Sequence, residues 1–185
     1  MRPVGPRLAG SLLFLALLAF LPRLAAQDVS GKDVVSPSAY VSFEPVARGM
    51  SFQLAVVLKI RPGFHINAHE VSADYLIPTE LRAEVPPADF RAEEVLYPKG
   101  TLQTFAFSKN KPLNVYTGTV TLRLPLAALP GAPLGPLALK MKVRYQACST
   151  EICLPPVTQE VEAPVTIVRT RSEAKAAHPD LFGTP

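Results

Sequence analysis

The stretch LALKMKVRY, residues 137–145, decides the fold class, because apolar and polar side chains alternate along it. Leucine, methionine, valine and tyrosine occupy the odd positions, while lysine or arginine occupies positions 140, 142 and 144. Successive side chains of a β-strand point to opposite faces of the sheet, so this period of two separates a buried face from a solvated one. The stretch therefore predicts a half-buried strand of an antiparallel sheet.

Similar signals recur on both sides of this stretch. Residues 115–126 alternate in the same way, and residues 51–60 and 157–168 are rich in β-branched residues. Shorter candidate strands are residues 40–43, 64–69, 81–85 and 101–107. The 20 prolines of the 185-residue chain disfavour long helices. Seven or so short strands with no helical pattern between them predict an all-β fold, and we expect an immunoglobulin-like antiparallel β-sandwich.

The two ends of the chain predict the domain organisation. Residues 1–26 contain a basic start, an apolar run at residues 8–21 and a final Ala25-Ala26 pair, which is the order of a secretory signal peptide. An uncleaved N-terminal anchor is the alternative. We further predict a flexible N-terminal segment at residues 27–39, a sandwich domain at residues 40–169 and a disordered tail at residues 170–185.

The charge distribution excludes one class of partner. The formal net charge is +4, but residues 1–26 carry three arginines and no acidic residue, so 19 − 3 = 16 basic residues face 15 acidic ones in the remainder. A nearly neutral domain has no electrostatic basis for binding nucleic acid.

We expect a monomer with no nucleic-acid partner, located in the periplasm or secreted after cleavage of the signal peptide, where a disulfide can persist.

Two cysteines, Cys148 and Cys153, lie where one predicted strand ends and the next is about to begin. A bond between them is sterically plausible, but closing so short a loop stabilises a fold by only about 2 kcal/mol. A weak crosslink in an accessible loop favours a reactive disulfide. However, two cysteines in a secreted domain are commonly a plain crosslink, so the spacing alone leaves both interpretations open.

The residues around the cysteines add a prediction about reactivity. Pro155 and Pro156 stiffen the chain after the second cysteine. Glu151 lies between the cysteines, and no lysine, arginine or histidine is adjacent to either of them in sequence. Because a nearby acid disfavours the thiolate, we expect the reduced thiols to stay mostly protonated near neutral pH and to react only when a docked partner arranges the exchange.

The sequence YQAC at residues 145–148, a short loop, and CLPPVT at residues 153–158 resemble the signature of the N-terminal domain family of the thiol:disulfide interchange protein DsbD. The resemblance implies an immunoglobulin-like domain in the periplasm that takes electrons from a thioredoxin-like domain, itself supplied by a membrane domain, and passes them to oxidised periplasmic proteins. It implies that Cys153 bonds to the partner and that Cys148 resolves the mixed disulfide. The residues expected to shape the supporting shelf are Tyr145, Gln146, Pro155 and Pro156.

The resemblance extends upstream to PGFHI at residues 62–66 and to LYPKG at residues 96–100, which is similar to the cap region of that family. An apolar side chain over the disulfide would restrict attack to partners that displace it. Leu96 and Tyr97 are the candidates for this cap, although both would equally suit ordinary turn and core positions.

The leading hypothesis is an extracytoplasmic thiol-disulfide interchange domain, a protein-disulfide reductase component whose electrons would come from a separate thioredoxin-like protein or membrane thiol reductase. The rival hypothesis is a secreted immunoglobulin-like binding module with a purely structural disulfide. No cofactor and no metal are predicted. His65 and His69 could suggest a metal pair, but in a strand they would lie about 13 Å apart.

Overall fold

The computed structural model describes Met1, residues 29–109 and residues 111–183. Apart from Met1, the predicted signal peptide lies outside the described residues. The strands are β1 (Val35–Val41), β2 (Val46–Ala47), β3 (Ser51–Ile60), β4 (His65–Asn67), β5 (Glu80–Glu84), β6 (Phe90–Ala92), β7 (Thr101–Thr104), β8 (Pro112–Tyr116), β9 (Thr119–Ala128), β10 (Gly135–Tyr145), β11 (Ala147–Cys148) and β12 (Val157–Val168). The helical elements are the 3-10 helices Gly31–Asp33, Ala106–Ser108 and Arg171–Glu173 and the short helix α1 (Pro179–Phe182).

The strands form three four-stranded sheets. Their orders are β1-β3-β9-β6, β2-β12-β10-β5 and β11-β4-β8-β7. Within the described residues every strand pair is antiparallel except β2 with β12. The predicted all-β, immunoglobulin-like sandwich is confirmed.

The alternation in residues 137–145 appears in the structure as two different faces of β10. Leu139, Met141, Val143 and Tyr145 are buried, whereas Lys140 and Arg144 are exposed. The first two sheets both contribute side chains to one continuous hydrophobic core. Its fully buried large members include Leu54, Leu58, Leu122, Leu124, Leu139, Met141 and Ile167. Burial of these apolar side chains is therefore the main contribution that holds the two sheets together.

The predicted strand at residues 115–126 is two strands. A turn at Thr117-Gly118 separates β8 from β9, and Gly118 has a φ of 64°, which glycine adopts without steric cost. β8 consequently joins the small third sheet, while β9 pairs with β3 in the first sheet. This division creates the sheet that carries the cysteines.

The predicted flexible segment at residues 27–39 is instead ordered from residue 31. β1 begins at Val35 and pairs with β3 along its full length. Val34 and Val35 are 1% and 2% exposed, so these apolar residues join the core and fix the segment. The Ser30 hydroxyl accepts a hydrogen bond from the backbone N–H of Lys32 and caps the 3-10 helix before β1.

The predicted disordered tail at residues 170–185 is also ordered through Gly183. Phe43 forms a β-bridge with Ala176, and the backbone N–H of Ala177 donates to the carbonyl of Ser42 over 2.9 Å. The guanidinium of Arg123 donates to the carbonyl of Leu181 in α1. Backbone pairing with the segment after β1, which composition does not reveal, holds the tail in place.

Candidate functional site

The two cysteines lie opposite each other in a tight β-hairpin. Cys148 is the last residue of β11, and it forms an isolated bridge with Cys153 on the returning strand. The backbone N–H of Leu154 donates to the carbonyl of Ala147, and that of Ser149 to the carbonyl of Ile152, both over 2.8 Å. The cysteines thus occupy the non-hydrogen-bonded position between these two bonds, where facing side chains are close, and they form a disulfide.

The loop between the cysteines is ordered by its own serine. The Ser149 hydroxyl accepts hydrogen bonds from the backbone N–H groups of Glu151 and Ile152, each over 3.1 Å. Serine favours this local turn because its side chain can replace a backbone acceptor. The loop therefore presents the disulfide in a defined orientation.

The two sulfur-bearing residues differ in accessibility. Cys148 is fully buried at 0% exposure, whereas Cys153 is exposed, and its neighbour Ile152 is 62% exposed. An incoming thiolate attacks one sulfur along the S–S axis, so access decides which sulfur forms the new bond. The arrangement favours attack on Cys153.

Strand alternation places a histidine beside the buried cysteine. In the β11–β4 pair, Cys148 lies opposite His65 and Ala147 lies opposite Ile66. Ala147 and Ile66 belong to the main hydrophobic core, so Cys148 and His65 face the other side of the sheet. His65, Cys148 and Cys153 therefore form one row across the hairpin and β4, hereafter the cysteine row.

Two aromatic rings cover the histidine end of the cysteine row. Phe105 stacks on His65 with ring centroids 4.0 Å apart, and Phe107 lies parallel to the same ring at 6.2 Å. Both phenylalanines also pack against a small apolar cluster that is separate from the main core. Phe105 and His65 line a cleft together with Thr150, from the loop between the cysteines. The segment 105–107 is thus the element that contacts this end of the row.

The four residues predicted to form the supporting shelf differ in their burial and contacts. Pro155 and Pro156 are exposed. Gln146 contacts the hairpin directly, because its Nε2 donates to the carbonyl of Leu154 over 3.2 Å and its Oε1 accepts from Asn67 Nδ2 over 3.4 Å. Gln146 therefore connects the cysteine hairpin to β4.

Tyr145 points into the main core. Its hydroxyl donates to the carbonyl of Gly31 over 3.0 Å and accepts a hydrogen bond from Gln159. Burial raises the pKa of Tyr145, which keeps the hydroxyl protonated as a donor. Through its hydrogen bond to Gly31, Tyr145 thus holds the N-terminal segment against the strands that carry the hairpin.

The two predicted cap residues have other contacts. Leu96 is 53% exposed and forms a backbone bridge with Arg123 of β9. Tyr97 stacks on His69 with ring centroids 3.6 Å apart, and its hydroxyl accepts from the backbone N–H of Leu81 over 3.0 Å. The sequence analysis does not identify Phe105 and Phe107 as site residues. The signal that could have identified them is a pair of aromatic residues at alternate positions, shortly after residues 96–100.

The two histidines considered as a metal pair lie in different environments. His65 is 2% exposed, and burial lowers its pKa to about 4. His69 Nδ1 lies 3.0 Å from the carbonyl oxygen of Thr79, and the His69 ring is stacked on Tyr97.

Across residues 29–109 and 111–183, no helix has the length and apolarity to cross a membrane.

The fold and the site together define an all-β domain that presents a hairpin disulfide with one buried and one accessible cysteine. The family described as thiol:disulfide interchange protein DsbD, N-terminal, matches residues 32–164. The chain belongs to this family, and it is a thiol-disulfide interchange domain with a cysteine pair.

Solved structures give weaker similarities. The N-terminal periplasmic domain of ScsB from Proteus mirabilis matches with a TM-score of 0.48 and 10% identity, covering 77% of this chain and 49% of that one. This chain therefore spans about half the length of that structure. A PapD-like domain of human CEP192 matches with a TM-score of 0.36 and 12% identity, covering 85% and 99%. No curated protein gives a significant sequence match.

Proposed function

We propose that this domain relays reducing equivalents in the periplasm through the Cys148–Cys153 pair. The electron donor would be a thioredoxin-like protein or a membrane thiol reductase, and the acceptors would be oxidised periplasmic proteins. The family membership supports the interchange chemistry, and the export signal predicted at residues 1–26 supports the compartment.

The single observation that carries the proposal is the unequal accessibility of the two cysteines. Cys153 is exposed at the end of an ordered loop, while Cys148 is completely buried one bond away. A purely structural crosslink does not require this asymmetry. Sequential exchange does, since one cysteine must meet the partner and the other must wait to resolve the mixed disulfide.

In the reducing half-reaction, a donor thiolate attacks Cys153 Sγ and the Cys148–Cys153 bond breaks. The Cys148 sulfur leaves with the bonding electron pair and takes up a proton, while Cys153 and the donor form a mixed disulfide. The donor's second thiolate then attacks its own sulfur in that mixed disulfide and releases Cys153 as a thiolate. Both cysteines are then reduced, and the donor is oxidised to its disulfide.

In the oxidising half-reaction, the Cys153 thiolate attacks the disulfide of an acceptor protein and forms a mixed disulfide. Cys148 then attacks Cys153 Sγ, which restores the internal disulfide and releases the acceptor with both sulfurs reduced. Electrons and protons balance over the two halves, and no cofactor takes part.

The shielding role expected of Leu96 and Tyr97 is better assigned in this proposal to Phe105 and Phe107. These two rings stack beside the cysteine row, whereas Leu96 and Tyr97 contact β9, β5 and His69. A partner would approach Cys153 over the exposed side chain of Ile152.

The test uses matched serine variants and a purified thioredoxin-like protein. The partner retains its first active cysteine, activated as a mixed disulfide with 5-thio-2-nitrobenzoate, and its second active cysteine is serine. We expect the Cys148→Ser domain to displace the coloured thiolate and to form a stable covalent complex through Cys153. The Cys153→Ser domain retains only the buried Cys148 and should form little complex.

Equal trapping by both variants would contradict the assigned roles. Failure of Cys148→Ser to form any complex, with the intact domain resistant to reduction by the same protein, would favour the alternative of an immunoglobulin-like binding module with a structural disulfide.

A further inference from the structure

His65 is a buried polar residue that the exchange scheme above does not use. It is 2% exposed, and its Nε2 atom is buried with no hydrogen-bond partner among the described residues. A buried polar atom without a partner costs free energy, so its retention calls for an explanation. The position of His65 directly opposite Cys148 in the strand register supplies one.

We propose that His65 accepts the proton of the Cys148 thiol when the internal disulfide closes. This inference rests on the proposed function, because only an exchanging disulfide exposes the sulfur to protonation. Side chains directly opposite in an antiparallel pair have Cβ atoms about 5 Å apart, which is within reach of an imidazole and a thiol after the S–S bond breaks.

The need for such a group follows from the burial of Cys148. A sulfur at 0% exposure cannot pass its proton directly to bulk water, and burial disfavours its thiolate. The thiolate is nevertheless the attacking species when Cys148 resolves a mixed disulfide. A neighbouring proton acceptor therefore lowers the barrier to the resolving step.

The neutral His65 ring accepts the proton of the Cys148 thiol on an unprotonated ring nitrogen. The resulting Cys148 thiolate attacks Cys153 Sγ, the Cys148–Cys153 bond forms, and the bond between Cys153 and the partner breaks. The partner leaves with the electron pair as a thiolate, and the proton on His65 passes to it or to water.

The surroundings keep His65 in the neutral form that this role requires. Cys148 faces it from β11, and Phe105 and Phe107 cover it from the segment 105–107. Among the described residues that line the adjoining cleft, Arg61 is the one that carries a charge near neutral pH. Burial is the cause that lowers the pKa of His65 to about 4, so the ring is uncharged near neutral pH.

The test separates the two cysteines by the order in which they react. The reduced domain is mixed with 5,5′-dithiobis(2-nitrobenzoate). Cys153 reacts first and releases one coloured thiolate, and ring closure by Cys148 then releases the second. The variants are His65→Phe, which keeps an aromatic ring, and His65→Gln, which keeps a polar side chain. The matched control is His69→Phe, since His69 lies outside the cysteine row.

We expect both His65 variants to slow the second phase about a hundredfold near pH 7, the scale of general acid–base catalysis, and to leave the first phase nearly unchanged. The deficit should vanish at a pH high enough to ionise the Cys148 thiol without help, a pH profile that mere loss of packing would not give. The His69→Phe control should match the wild type in both phases.

An unchanged second phase in correctly folded His65 variants would overturn the role of His65 and leave the proposed function intact. A deficit that is the same at every pH would also overturn it, because it would indicate a structural effect. A wild-type domain that releases no thiolate in either phase would overturn both proposals.

Discussion

The sheet β2-β12-β10-β5 and the small sheet β11-β4-β8-β7 differ in the kind of side chain that they bury. In the first, the exposed face of β10 carries cross-strand ion pairs, with Lys142 Nζ 2.7 Å from Glu84 and 3.8 Å from Glu160, while the opposite face is apolar. In the second, the side chains of His65 and Asn67 are buried. Each of these two residues has one buried polar atom for which the described part of the chain supplies no hydrogen-bond partner.

This contrast indicates what each sheet is for. A sheet whose long strands, here β10 and β12, follow the alternation is stabilised by burial of its apolar face and needs no further explanation. A sheet that keeps unsatisfied polar atoms in its interior gives up stability, and such departures from local consistency are concentrated at functional sites. The small sheet is therefore the region in which substitutions should separate function from stability.

The largest expected effect concerns the response of His65 to acid. Its pKa of about 4 in the folded domain lies below its ordinary value of 6.5, so the unfolded chain binds the proton more readily. The free energy of unfolding therefore has its full value above pH 6.5, and it decreases as the pH falls towards 4 because protonation of His65 favours the unfolded chain. The free energy of unfolding of the wild type should fall by about 3 kcal/mol more than that of His65→Phe across this range. Denaturant unfolding at a series of pH values measures the difference, and parallel curves for the two proteins would refute it.

The next effect concerns Gly100, which packs between Ala68 and Asn114. A Cβ atom at position 100 would lie 2.2 Å from Asn114 Oδ1 and 2.8 Å from the Cβ of Ala68. Asn114 cannot move freely, because its Nδ2 donates to the carbonyl of Glu70 over 2.8 Å. We expect Gly100→Ala to lower the free energy of unfolding by about 2 kcal/mol.

The matched control is Gly131→Ala, because a Cβ there would meet no atom of residues 29–109 or 111–183 within 4 Å. This change should alter the free energy of unfolding by less than about 0.5 kcal/mol. Similar losses for the two variants would show that the close approach at Gly100 is not important.

A smaller effect tests the aromatic cover of the cysteine row. Removing the ring of Phe105 opens the cleft that it lines with His65 and Thr150, so small thiols should reach the disulfide more easily. We expect Phe105→Ala to increase the second-order rate constant for reduction by glutathione about tenfold, or about 1.4 kcal/mol in activation free energy. Leu96→Ala is the control and should leave that rate constant nearly unchanged. If Leu96→Ala accelerates reduction and Phe105→Ala does not, the cap is Leu96, one of the two candidates considered from the sequence.

The smallest effect is expected in the regular sheet. The hydrogen bond and charge of Glu84 raise the pKa of Lys142, yet both side chains are substantially exposed. Exposed ion pairs contribute little because solvent and salt screen them. Lys142→Ala should lower the melting temperature less than Gly100→Ala, and the loss should shrink in high salt. Thermal unfolding at two salt concentrations measures this, and a loss equal to that of Gly100→Ala would contradict the contrast between the sheets.

The sequence predicts the regular sheets well because one local signal, alternation, determines which face is buried. The strands at residues 51–60 and 157–168 have the predicted bounds, and the predicted buried face of residues 137–145 is confirmed. The same reasoning missed the order of residues 31–39 and of the tail, since pairing between distant segments fixes both of them.

For the candidate site, the sequence predicts the reactive pair of cysteines but not the residues that surround it. The cysteine pair is visible as a motif, and the family resemblance is confirmed. The neighbours of the pair are not visible, because His65 and Phe105 reach the cysteine row through strand register and tertiary stacking. Neither contact leaves a periodic pattern in the chain, and local sequence therefore gave no reason to place these residues together.

The most direct test of the central claim is to mix the oxidised domain with a reduced thioredoxin-like protein and to count the protein thiols at equilibrium. An exchanging pair should reach a measurable equilibrium, with a reduction potential above about −300 mV. Structural disulfides usually have potentials below that value. A disulfide that stays closed against excess reduced partner, with a potential well below that value, would contradict the account.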